Sequence, residues 1–166
     1  MASNLHFIKT GSDTSVSSLS ITNCFSDQFN VYQVVIDTIG LAGSDLHFRF
    51  INASGVVSSA NYDDAVLLMR SYGSFSDTND EGATELGSIG FSDYSDKGGA
   101  TVINVYTPFD SSAYSYATWQ NAGASTIGTP VRKGSGVLKV AESHTGINFM
   151  ASSTLQSISA SIFGVK

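Results

Sequence analysis

Apolar and polar residues alternate with a period of two over most of this chain, a rhythm that predicts strands in place of helices. The longest instance follows a polar break from Ser26 to Asn30. There Tyr32, Val34 and Ile36 fall on one side, and Val31, Gln33, Val35 and Asp37 on the other. The cleanest sets Leu46, Phe48 and Phe50 against His47, Arg49 and Ile51. Earlier, Leu19 and Ile21 oppose Ser18 and Ser20. These eight apolar residues (Leu19, Ile21, Tyr32, Val34, Ile36, Leu46, Phe48 and Phe50) are the expected core.

Residues 62–72 carry two patterns at once. Ala65, Leu68, Met69 and Tyr72 fit one helical face, and Asp63-Asp64 suits a helix N-terminus. Val66, Leu68 and Arg70 also alternate, and the neighbours are strands, so a strand is the reading adopted. Further strands are expected at 86–91, at 101–107 ahead of Pro108, at 114–120, 137–140, 147–150 and 158–165. Turns are read at 40–44 and 52–55, and an acidic loop at 74–85. About nine strands without a helix predict an all-β, antiparallel sandwich, jelly-roll-like, with residues 1–14 as an N-terminal arm and 15–166 as one domain.

Composition sharpens this. Of 166 residues only 13% are charged, about half the ordinary share. Neutral hydroxyls and amides cost less to desolvate than charges, so such a surface suits packing against copies of itself. The net charge of −6 and the scattered basic residues exclude nucleic acid as the main partner. No stretch is long and apolar enough for a membrane-spanning helix, and Met1-Ala2-Ser3-Asn4-Leu5 lacks a signal peptide's basic region and apolar core, so the chain is expected to be soluble and not exported.

Chemistry is sparse. The single Cys24, beside Phe25, reads as a small buried hydrophobe and excludes an internal disulfide. His6, His47 and His144 have no metal spacing, and no nucleophile elbow or phosphate loop occurs. Asp63 and Asp64 would point to opposite faces of a strand and cannot share a substrate. Asp77-Thr78-Asn79-Asp80-Glu81-Gly82 imitates the start of a calcium loop, but its twelfth place is Ser88 where a bidentate Glu is needed. It is read as an acidic surface loop. No catalytic residue, metal ligand or cofactor is assigned. Tyr114, Tyr116 and Trp119 are candidates for stacking on a glycan or for a subunit interface. In the arm, Leu5, Phe7 and Ile8 form an apolar island that needs cover, from the sandwich edge or from a neighbouring protein.

The order of segments resembles small structural proteins of tailed phages, of the type common in marine and cyanobacterial phages. The resemblance rests on Ser17-Ser18-Leu19-Ser20-Ile21-Thr22-Asn23-Cys24-Phe25, then Asp27, Phe29-Asn30, Tyr32 and Val34-Val35-Ile36. Leu46-His47-Phe48-Arg49-Phe50, Ala60-Asn61-Tyr62 and the run from Val102 to Pro108 extend it. Gly146-Ile147-Asn148-Phe149 and the closing run from Ser157 to Lys166 complete it over residues 15–166. Asn104, Ser161 and Phe163 depart from the family's usual residues. The resemblance implies a non-enzymatic virion protein that contacts other virion proteins and forms a homo-oligomer, preferably a trimer. Decoration of the capsid, as a knob, is the expected role, favoured by the absence of a fibre shaft ahead of the first strand. A tail-fibre module contacting host surface glycan is the alternative.

Overall fold

The computed structural model describes residues 4–39, 45–71, 73–91, 98–124 and 130–166; the turn expected at 40–44, residues 1–3 of the arm and Tyr72 lie outside them. Among the described residues there are eleven strands and no helix. They are β1 (Leu5–Ile21), β2 (Val31–Ile39), β3 (Asp45–Asn52), β4 (Gly55–Val56), β5 (Tyr62–Arg70) and β6 (Ser76–Ala83). Then come β7 (Leu86–Phe91), β8 (Gly99–Tyr106), β9 (Ser115–Gly123), β10 (Pro130–Leu138) and β11 (Gly146–Val165). The all-β, antiparallel class is as the alternation predicts, with eleven strands where about nine were expected.

One hydrogen-bonded sheet runs in the order β4-β3-β11-β2-β8-β9-β10-β5-β6, with β1 against β11 and β7 against β3. The 20-residue β11 changes partner along its length: residues 146–151 pair with β3, residues 157–165 with β2. β1 follows it from end to end, Leu5 opposite Val165 and Ile21 opposite Ile147. The ribbon bends where Ser15 has a φ of 58° and the register slips between Val16 and Ser18. Its two halves then lie close. The Lys9 ammonium donates to the Thr22 carbonyl at 2.8 Å, and a Cβ on Gly11 would stand 2.8 Å from Ile21. Curling one sheet in this way, rather than stacking two separate ones, makes the sandwich.

The core fills the space inside the curl. All eight expected core residues are buried. Phe48 of β3 meets Trp119 of β9 edge-on at 6.4 Å, which shows the two layers in contact. Buried tyrosines pin the loops through their hydroxyls. Tyr62 accepts from the Phe50 amide and donates to the Val57 carbonyl, both at 3.0 Å, while Tyr32 accepts from the Ser26 amide and donates to its carbonyl, both at 2.8 Å.

Two expectations change. Residues 76–83, read as part of the acidic loop at 74–85, form strand β6, because Ser76 to Asp80 and Ala83 find ladder partners on β5, with Glu81 and Gly82 at a register shift. The arm enters the sheet at Leu5 and is the first half of β1. Its alternation is weak because both faces are mostly exposed, leaving only Ile8 packed on the core.

Candidate functional site

Strand β9 separates the three aromatic candidates. Ser115, Ala117, Trp119 and Asn121 point inward and are buried, and Tyr116 points outward at 48% exposed. Tyr114 precedes the strand and is exposed as well. Trp119 is therefore a core residue, lying over Gly134 of β10. Its Nε1–H and the Asn121 Oδ1 are buried without a hydrogen-bond partner. Leu5 and Phe7 are 41% and 57% exposed, and Phe7 lies edge-on to Phe163 at 5.8 Å.

The most enzyme-like geometry involves residues that the sequence reading did not join. The Ser115 Oγ lies 2.9 Å from His144 Nδ1, and His144 Nε2 lies 3.2 Å from a Glu142 carboxylate oxygen. Since a carboxylate only accepts, Nε2 carries the proton and Nδ1 accepts from the serine. Burial pushes the His144 pKa down, against a smaller upward pull from Glu142, so the ring is neutral. A Ser–His–Glu relay of this kind suggests acyl transfer. Yet Ser115 and His144 are fully buried, and the ring sits 5.0 Å from that of Phe50. No substrate carbonyl reaches that hydroxyl, so the relay fastens the 139–145 loop to β9. The His144 amide adds a bond to the Pro108 carbonyl at 2.7 Å. Glu142 beside His144 was the one signal in the sequence; nothing there pointed to Ser115.

Several other ionisable groups are tied up in structural pairs or buried. Asp63 points outward to Lys139 at 2.7 Å and accepts from the Gly82 amide, which together hold its carboxyl below the usual range. Asp64 points inward, where burial raises its pKa despite a bond from the Gly87 amide. Adjacent acids thus face opposite sides, as strand geometry requires. Arg49 clasps Glu85 at 2.6 Å, and Arg132 clasps Asp45 at 2.6 Å. Burial lifts the Cys24 thiol to about 12, so it is not a nucleophile at neutral pH. Among the described residues no three His, Cys, Asp or Glu side chains cluster as metal ligands.

The outer face of the sheet carries a shallow groove of about 810 Å³ across β8, β9, β10, β5 and β6. The ladders place its side chains in rows running across the strands. Asn104, Thr118, Ser135, Ala65 and Asn79 form one row, and Val102, Gln120, Lys133, Leu67 and Asp77 the next. Tyr116 stands two residues before Thr118 on the same face, paired with Tyr106, whose hydroxyl meets that of Thr118 at 3.2 Å.

The sequence matches no protein-family model and no curated protein. Among solved structures it is similar to exo-inulinase from Aspergillus awamori, at 10% identity and a TM-score of 0.38, over 98% of this chain and 29% of that one. It is also similar to the CspB protease of Clostridium perfringens, at 10% identity and a TM-score of 0.31, over 98% and 26%. The chain thus spans less than a third of either enzyme. Likenesses this loose bear on neither its fold nor its chemistry.

Proposed function

We propose that this chain is a non-enzymatic structural protein of a tailed-phage virion, decorating or protruding from the capsid surface and held there by protein–protein contacts. The observation that carries the reading is the edge presented by β1. Seventeen residues long, it pairs among the described strands only with β11. Its outward groups are mostly Ser and Thr, with Phe7 exposed at one end. Lys9 and Asp13 are its only Lys, Arg, Asp or Glu residues, so an added strand or neighbouring subunit would strip water from few charges. The resemblance to phage structural proteins supplies the setting and the preference for a trimer. Antibodies raised against the recombinant chain test it on the purified virus-particle fraction of the source culture. Label on phage heads is expected, and its absence from particles rules the reading out.

Contact with surface glycan is a second reading, favoured by one observation. Tyr116 stands exposed on the same face as Thr118, one row to the side of a groove that carries Asn104, Thr118, Gln120, Ser135 and Asn79.

A further inference from the structure

We infer that the groove across β8, β9, β10, β5 and β6 is a binding site for a neutral polysaccharide, lying across the strands with Asn104, Thr118, Ser135, Gln120 and Asn79 as its hydrogen-bonding floor. This deepens the glycan reading by naming a site, and it holds whether or not the protein sits on a capsid. Three observations lead to it.

The first is spacing. Residues opposite one another on neighbouring strands stand one strand apart, about 4.7–4.9 Å. The row from Asn104 to Asn79 crosses five strands in unbroken register. It therefore presents hydroxyl and amide groups at steps comparable with one sugar ring on four of the five strands, with the Ala65 methyl on the remaining one. Gln33 of β2 lengthens the row, its amide donating to Asn104 at 3.4 Å.

The second is that, while Asn104 and Thr118 are engaged by Gln33 and Tyr106, the other polar groups of the floor are uncommitted. Ser135, Gln120, Asn79 and Lys133 have no side-chain hydrogen bond or ion pair among the described residues, although they lie side by side in one concavity. Hydroxyls and carboxamides both donate and accept, as sugar hydroxyls do. Between them Val102 and Leu67 are 37% and 40% exposed, giving apolar patches for the C–H faces of the rings. Tyr116, one row to the side, adds an aromatic face.

The third is charge. On a chain of net −6, the groove balances one cation, Lys133, with one anion, Asp77, in the same row. A polyanion would meet the field of the whole molecule with a single lysine in its favour, and a polycation would find one aspartate. A neutral, hydroxyl-rich chain meets neither penalty.

Affinity electrophoresis through native gels cast with dextran, yeast mannan or xyloglucan tests the site, with alginate as the polyanionic control. The wild-type protein should be retarded in at least one neutral gel and not in alginate. Ser135→Trp, which fills the groove, should abolish the retardation. The double variant Asn104→Ala/Gln120→Ala, which removes hydrogen bonds without adding bulk, should weaken it at least tenfold. Both variants are compared by circular dichroism and sedimentation. Wild-type retardation that survives in both variants overturns the site but leaves glycan contact standing. Free migration in all three neutral gels overturns both. Retardation by alginate alone overturns the neutral class of ligand. Should Ser135→Trp convert an oligomer to a monomer while no gel retards the wild type, the face is a subunit contact and the inference is wrong.

Discussion

Single residues set how closely the layers approach. Gly134 is opposite Trp119, and a Cβ there would lie 2.4 Å from the indole ring. The ring is held by Phe48 on its far side, so it has little room to retreat. Gly134→Ala should therefore destabilise the fold by about 1–3 kcal/mol, the usual range for overpacking, read as a lower urea midpoint. An unchanged midpoint would mean that the indole can move. His144 gives a second expectation. Its pKa is lowered by burial, so below pH of about 6.5 the unfolded chain binds a proton that the folded one refuses. Stability from this group is full above that pH and falls as the solution is acidified. Asp64, raised by burial, acts in the opposite direction at lower pH. Comparison with His144→Gln isolates the histidine, since glutamine can keep both hydrogen bonds but does not titrate. Between pH 7.5 and 5.5 the wild type should lose stability relative to the variant in urea titrations; parallel curves would contradict the neutral, buried ring.

At the level of elements, the β1–β11 ribbon decides the architecture. Residues 5–14 pair with 157–165, and the Gly11 backbone lies against Ile21. Deleting residues 1–12 strips a ladder, uncovers Ile21 and removes the partly buried Ile8, which contributes some fraction of the about 1.5–3 kcal/mol of a fully buried side chain. A loss of several kcal/mol is expected in the isolated protein, by thermal or urea unfolding. A truncated protein as stable as the full chain would show that the segment adds nothing to the sandwich. This ribbon also shows why sequence legibility was uneven. Strands with one dry and one wet face, such as β2 and β3, print their period directly into the residues, and every core position read from them is buried. In β6 and the first half of β1 both faces are mostly exposed, so no hydrophobic period exists to be read. β6 is held by pairing with the preceding strand β5, and the first half of β1 by pairing with β11 at the far end of the sequence. The buried Ser115–His144–Glu142 relay was hidden because 29 residues separate Ser115 from His144. The groove was likewise invisible until strand order brought Asn104, Ser135 and Asn79 into one row.

For the whole molecule, the question is how a sheet with open edges avoids uncontrolled polymerisation. β1 pairs only with β11, and β6, among the described strands, only with β5. A β1-to-β6 contact between copies would be head-to-tail, and such contacts form open chains unless their rotation closes. The two edges differ in charge. β6 carries Asp77, Asp80 and Glu81 with no cation, whereas β1 balances Lys9 against Asp13. An approaching β6 meets like charge directly across the ladder, which is destabilising. Acidic β6 is thus expected to guard its own edge of the sheet against pairing with another copy. The triple variant Asp77→Asn, Asp80→Asn, Glu81→Gln keeps side-chain size and removes the charge. It should remain folded, since among the described residues none of the three side chains makes a hydrogen bond or ion pair. Light scattering at rising protein concentration should then show continuous growth for the variant and a plateau at a defined oligomer for the wild type. High salt, which screens exposed charges over about 3 Å at 1 M, should move the wild type in the same direction. Identical scattering from both proteins under both conditions would mean that the acidic strand does not govern assembly.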